Sequence, residues 1–189
     1  MPDRETDHHT EYEEPPVAGT RPEADPEAKA REICLRLLTF APRTRAQLAD
    51  ALRKRDIPDE AAEAVLSRYS EVGIIDDAAF AGAWVESRHA GRGLARRALA
   101  SELRRRGVDE ETVRGAVDEL SPEQEEATAR SLIRRKLAGT RGRSAEVRTR
   151  RLMGMLARKG YPAGLAYRLI RAELEAEGLD AGLDEPGPG

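Results

Sequence analysis

Leu52-Arg-Lys-Arg-Asp-Ile57, Leu103-Arg-Arg-Arg-Gly-Val108 and Leu156-Ala-Arg-Lys-Gly-Tyr161 share one pattern: an apolar residue, a basic cluster, a turn and a second apolar residue. Pro58, Asp109 and Pro162 follow in register, and the residues nine positions beyond Ile57, Val108 and Tyr161 are Leu66, Val117 and Ile170, all apolar. The chain therefore carries an internal repeat of about fifty residues. Helical repeats of this length complete one another's cores and present a long surface in place of a deep pocket. Such a surface points to binding, not to catalysis.

Composition agrees with this reading. The 189 residues are 39% hydrophobic and 35% charged, thin material for one large core but enough for several small ones packed by Leu, Ala, Val and Ile. The net charge of −3 hides a division, because residues 1–27 carry −7 and residues 173–189 carry −6, which leaves +10 on residues 28–172. A basic body between acidic tails favours a polyanionic or acidic partner, although a charge run also serves as a solvated surface. Cys34, the only cysteine, lies between Ile33 and Leu35 and reads as a small buried hydrophobe, with no intramolecular disulfide or cysteine metal cluster to form. No stretch supplies the roughly 18 apolar residues of a membrane span, and the acidic N-terminus lacks the regions of a secretory signal. The expected location is the cytoplasm, without membrane contact.

Residues 1–26, with Pro2, Pro15, Pro16, Pro22 and Pro26 among acids, are expected to be a disordered tail, as are residues 177–189. Between the tails, helical period and helix punctuation run throughout. Repeat 1 is expected over 27–75: a helix over 27–40 with Ile33, Leu37 and Phe40 inward, a second capped by Thr44, and a third opened by Pro58 with Val65, Leu66 and Tyr69 inward. Repeat 2, over 76–120, opens at Asp76-Asp77, carries Phe80, Ala83 and Trp84, breaks at Gly91 and Gly93 before a helix over 94–106, and starts its third helix at Asp109. Repeat 3, over 121–176, opens at Ser121-Pro122-Glu123, with Ser144 capping its second helix and Pro162 opening its third. No segment alternates as a strand does. The fold class is all-α, three tandem three-helix repeats forming a curved helical solenoid.

Asp76-Asp-Ala-Ala-Phe80-Ala81, Arg88, Gly91-Arg-Gly93, Glu102-Leu103 and Gly107-Val108 stand in the middle repeat in an order and spacing that resemble the central motif of the RecX family, bacterial regulators of RecA. Leu37-Leu38, Arg43-Thr44-Arg45 and Leu48 extend the resemblance upstream, and Arg151-Leu152 and Gly160-Tyr161 extend it downstream, over about 28–172. The first repeat departs from the pattern in having Asp56 where the others have glycine, and the acidic tails lie outside the family core. The resemblance implies three repeated three-helix units, no enzymatic activity and no cofactor, binding along the RecA filament groove, and inhibition of RecA ATPase and strand exchange in DNA repair, recombination and the SOS response.

The residues themselves say where such binding would lie. On the helix from Leu94 to Arg106, Ala95, Ala98, Leu99 and Leu103 gather on one side while Arg96, Arg97, Arg104 and Arg105 spread over the other. Arginine binds carboxylate or phosphate as a fork, so this face suits an acidic protein groove and a nucleic-acid backbone equally. The candidate contact residues for RecA or its nucleoprotein are Arg88, Arg92, Arg96, Arg97, Arg104 and Arg105, extended into the third repeat by Arg134, Arg135, Arg148, Arg151, Arg158 and Lys159. Glu102 stands close to the apolar side of its helix and needs a partner, for which Arg88 is the candidate. Trp84 and Tyr161 sit at inward repeat positions, which favours core packing over stacking on bases.

Enzyme sites find no seat. Asp76 and Asp77, at a helix start, read as caps rather than a metal or acid/base pair. His8, His9 and His89 offer no second-ligand set, and Gly91-Arg-Gly93 lacks the third glycine of a dinucleotide loop. The expected partner is the RecA filament, with single- or double-stranded DNA reached through the basic face and the chain acting as a monomer. A nucleic-acid-binding helical protein for which RecA is incidental, or a scaffold for another protein, has the same fold.

Overall fold

The computed structural model describes residues 25–183, with side chains to Gly178. Nine α-helices and one 3-10 turn form these residues, in the order α1 (Pro26–Phe40), α2 (Arg45–Arg53), α3 (Asp59–Glu71), α4 (Asp77–Arg92), α5 (Arg96–Arg105), α6 (Glu110–Asp118), α7 (Pro122–Leu137), α8 (Ala145–Arg158) and α9 (Ala163–Leu183). They make three three-helix units in series. The tails expected over 1–26 and 177–189 lie outside the described residues except for 25–26 and 177–183, and there α9 continues to Leu183, past the repeat boundary expected at 176.

Local chemistry sets the helix starts. Thr44 and Ser121 form capping boxes with Gln47 and Gln124, and Asp76, Asp109 and Ser144 accept from the backbone N–H groups of Ala79, Thr112 and Val147. Asp76 is thus a cap, as its position implied. Each unit has its own core: Ile33, Leu48, Leu52 and Leu66 in the first; Val85, Leu99, Leu103 and Val113 in the second; Ile133, Leu152, Leu156 and Ile170 in the third. Phe40 does not join the first. Its helical phase is right, but it is the last residue of α1, where the chain leaves the helix at Ala41, and it is 81% exposed.

The two junctions between units repeat the same contacts. At the first, the Thr44 hydroxyl donates to the Arg106 carbonyl at 2.7 Å and Asp77 accepts from the Arg45 backbone N–H at 2.9 Å. At the second, the Ala95 N–H donates to the Lys159 carbonyl at 2.9 Å and Glu125 accepts from the Arg96 N–H at 2.8 Å. A carboxylate from the next unit thus meets the positive N-terminus of α2 or α5. Ala95, without a side-chain oxygen of its own, leaves that work to the buried Glu125. The second junction has more besides: the Tyr161 hydroxyl donates to the Gly93 carbonyl at 3.1 Å, His89 bridges the Leu94 carbonyl and the Thr128 hydroxyl, and Ala95 packs within the core of the third unit. Burial, with the Glu125 charge adding to it, pushes the Tyr161 phenol far above its ordinary pKa.

Gly107 and Gly160 turn the chain at φ +78° and +87°, and each lies against the preceding unit, Gly107 on Ala46 and Gly160 on Ala98. Asp56 occupies the equivalent turn of the first unit at φ 55°. No described unit precedes it, so its side chain points where no neighbour sits. This accounts for the departure of the first repeat from glycine.

Ion pairs brace the third unit. Glu173 on α9 is buried and accepts from Arg134 at 2.7 and 3.1 Å and from Arg130 at 3.2 Å. The hydrogen bond from Arg134 and then that from Arg130 hold its carboxyl below the usual glutamate pKa against the opposing effect of burial. A carboxylate with a lowered folded-state pKa supplies stability that is present above its unfolded pKa and is lost as pH falls through the folded value. Glu173→Gln is therefore expected to shallow the acid limb of stability below the ordinary glutamate value, read as thermal midpoint against pH by circular dichroism.

Candidate functional site

The structure divides the twelve basic residues singled out from sequence into two groups. The first is engaged within the chain. Arg96 donates to the Val117 carbonyl and pairs with Asp118, Arg104 grips Glu110 with two nitrogens at 2.6 and 2.7 Å, and Arg134 holds Glu173. Arg148, only 15% exposed in its side chain, reaches Thr140 and Glu177. Arg88 lies 4.1 Å from the centre of the Trp84 ring, and the Lys159 ammonium donates to the Arg92 carbonyl. The second group, Arg92, Arg97, Arg105, Arg135, Arg151 and Arg158, is exposed and meets no carboxylate among the described residues.

The expected Arg88–Glu102 pair does not form. Glu102 instead accepts from the Trp84 indole N–H at 2.9 Å, and Arg88 and Arg106 both lie over that ring, Arg106 at 3.7 Å. Phe80 stacks beside it at 5.8 Å. The half-buried indole N–H needed an acceptor, and a tryptophan face attracts guanidinium, so Trp84 took both partners. Glu102→Gln keeps an acceptor and is expected to leave stability nearly unchanged, whereas Glu102→Ala is expected to cost about 1 kcal/mol. Trp84 is the sole tryptophan, so its emission during denaturation reads this cluster directly.

Four of the free or lightly held cations come together between the second and third units. The end of α4 brings Arg92, the last turn of α7 brings Arg135, and the end of α8 brings Arg158 and Lys159, around a groove of about 690 Å³ floored by Gly93, Leu132 and Met155. A second hollow of about 460 Å³ shares Met155 and Arg158 and adds Lys136, Arg150 and Arg151. Seven cations therefore line these two adjoining hollows, and no aspartate or glutamate does. Cations in the last turn of a helix are locally favoured by the helix dipole, which explains Arg92, Arg135, Lys136 and Arg158 but neither Arg150 and Arg151 in mid-α8 nor the absence of acids around all of them. Concave walls of one sign concentrate the field and attract polyanions.

Of the seven, Lys136 and Arg150 escaped the sequence reading. The phase of α8 carries a signal for Arg150, at the edge of the Arg151, Gly154, Met155 and Arg158 stripe, and none for Lys136, which lies on α7. Arg97 and Arg105 stand apart from the groove on the outer side of α5. The described residues hold no cluster of three or more potential metal ligands, and no described helix is long and apolar enough to cross a membrane.

Comparison with known proteins bears directly on this architecture. The family model for the first three-helix domain of RecX matches residues 30–68, that for the second 76–117 and that for the third 123–170. The chain is 69% identical over 189 residues to the regulatory protein RecX of Thermobifida fusca, covering all of both chains. It is 65% identical over 159 residues to that of Streptomyces lividans, covering 84% of this chain and 85% of the other. The crystal structure of RecX from Lactobacillus salivarius superposes with a TM-score of 0.73 at 18% identity, over 79% of this chain and 97% of that one, which shows a shared fold. With its three domain matches in order and its identity sustained from end to end, the chain belongs to the RecX family of regulatory proteins.

Proposed function

We propose that this chain binds RecA filaments through the basic groove between its second and third units and inhibits RecA ATPase, strand exchange and recombination, and so modulates DNA repair. It acts in the cytoplasm as a monomer and performs no chemistry. The observation that carries the reading is a basic groove and an adjoining hollow that together hold seven cations and no carboxylate, in a chain that belongs to a family of regulators. A filament of RecA on DNA offers acidic side chains and phosphates to such a surface, and arginine forks suit both.

The test is RecA's ATP hydrolysis on single-stranded DNA while the chain is titrated in, with the chain's own DNA affinity measured in the same buffer. Inhibition well below the concentration that coats free DNA is the expected result. Inhibition only once the DNA is coated would transfer the groove to a nucleic-acid-binding role. That second reading is favoured by the absence of acids in the groove, and it carries a signature of its own. Seven cations engaged on a single strand give a slope of about −5 in log affinity against log salt.

A further inference from the structure

The second unit has another groove along the seam of α4 and α6, which adjoins the basic groove at His89 and Ala90. Ala78, Gly82 and Val85 of α4 face Thr112, Gly115 and Ala116 of α6 across about 640 Å³ of open space. Glycine is, after proline, the least favourable residue inside a helix. Neither Gly82 nor Gly115 has a positive φ, and a Cβ at either would touch nothing within 4 Å. Nothing among the described residues requires glycine at these positions. Two carboxylates border the groove, Glu86 and Glu119, and neither pairs with a cation among the described residues.

In the third unit the same helix pair is bridged by ion pairs. Across α7 and α9, Arg168 reaches Glu126 at 3.3 Å, and Arg130 bridges Glu126 at 2.9 Å and Glu173 at 3.2 Å. Counting from Asp76 and Ser121, which cap α4 and α7, Val85 stands where the third unit has Arg130. Counting from Val108 and Tyr161, Gly115 stands where it has Arg168. The second unit thus carries acids at this groove but has no arginine at either position from which the third unit clamps its own acids. His89 does not replace them, since its two ring nitrogens are engaged by Leu94 and Thr128.

We propose that the α4–α6 groove is a docking site for an amphipathic helix of a partner protein, bearing small or aliphatic residues on one stripe and lysine or arginine beside it. The stripe lies between Gly82 and Gly115, and the cations meet Glu86 and Glu119. From Ala78 to Ala90 the α4 wall runs for about 18 Å, enough for three turns of a helix. Helix-in-groove recognition reads anchors at this spacing. On the reading that RecA is the partner, on which this part rests, the helix belongs to the RecA protomer. The chain then holds RecA protein in the α4–α6 groove and anionic groups in the basic groove beside it.

The probe is a synthetic fifteen-residue helix with Ala and Leu on one stripe and Arg on both sides, alongside the same helix with Glu for Arg. Amide shifts of isotope-labelled full chain are the first readout. The Arg helix is expected to shift Gly82, Gly115 and their neighbours, the Glu helix is expected not to, and E86K with E119K together should reverse the preference. Shifts elsewhere with Gly82 and Gly115 unmoved would overturn the proposal. Gly82→Leu with Gly115→Leu fills the groove and, with open space at both positions, is expected to keep the thermal midpoint. This variant should bind the Arg helix and DNA-free RecA at least about tenfold more weakly, in line with the loss of a helix anchor. Unchanged affinity for the Arg helix in the filled variant would also overturn the proposal. If the wild-type chain binds the Arg helix in the groove but does not bind RecA, the groove stands and the RecA reading falls.

Discussion

Replacing Gly160 by alanine is expected to remove about 2–5 kcal/mol of stability, a large part of the roughly 5–15 kcal/mol a domain has to lose. Two costs add. The turn at φ +87° puts an L side chain in the left-handed region, at about 1–2 kcal/mol, and the new Cβ arrives 2.7 Å from both the backbone nitrogen and the Cβ of Ala98. The nitrogen belongs to α5 and cannot step aside as a side-chain tip would, so relief requires the third unit to move off the second, at about 1–3 kcal/mol. Gly107→Ala is expected to cost a comparable amount, because its new Cβ would arrive 2.3 Å from the Cβ of Ala46, which is fixed directly to the backbone of α2. The control is Asp56→Gly in the first unit, where the same substitution in reverse relaxes a positive φ and frees no space, and stability should hold or rise by up to about 1 kcal/mol. Urea unfolding of the three variants measures all of this, and equal losses at Gly160 and Asp56 would contradict the account.

The second large effect lies in binding. Arg135→Glu combined with Arg158→Glu places two acids in the groove between the second and third units, and inhibition of RecA is expected to need at least about a hundredfold more protein, since removing and reversing close charges at an interface each cost several kcal/mol. Neither residue pairs with a carboxylate among the described residues, so the thermal midpoint should change little. Arg97→Glu with Arg105→Glu makes the same change in net charge on the outer side of α5. If concave placement decides, that variant loses only a few-fold through long-range steering. Equal losses in the two double variants would mean that net charge alone governs the encounter.

What was legible in the sequence follows from what is local. Thr44, Asp76, Asp109, Ser121 and Ser144 act within three residues of themselves, and a cap followed by an apolar period fixes a helix start without reference to the rest of the chain. The apolar repeat positions likewise became the cores of the three units. The state of each arginine was not legible, because its partner is set by packing between helices far apart in sequence. Arg96 finds Asp118, Arg134 finds Glu173 and Arg148 finds Glu177, and no helical phase announces those meetings. Four of the nine α5 and third-unit arginines singled out from sequence thus turned out to be braces. The groove was hidden for the same reason: Arg92 and Arg158 approach only because the second and third units join as they do. Trp84 taking Glu102 from Arg88 was a competition between two plausible partners, decided by the geometry of one ring.

Ala95 belongs to the second unit by descent and lies inside the core of the third. The boundary of duplication and the boundary of cooperativity therefore fall in different places. Cut at residue 120, the C-terminal piece would lack part of its own interior as well as the Gly93 carbonyl that receives Tyr161 and the N–H of Arg96 that satisfies Glu125. Hydrogen exchange should record this as one block of amides over α4 to α9 that opens together, with α1 to α3 able to open beforehand. A module defined by its ancestry is here smaller than the smallest piece that folds.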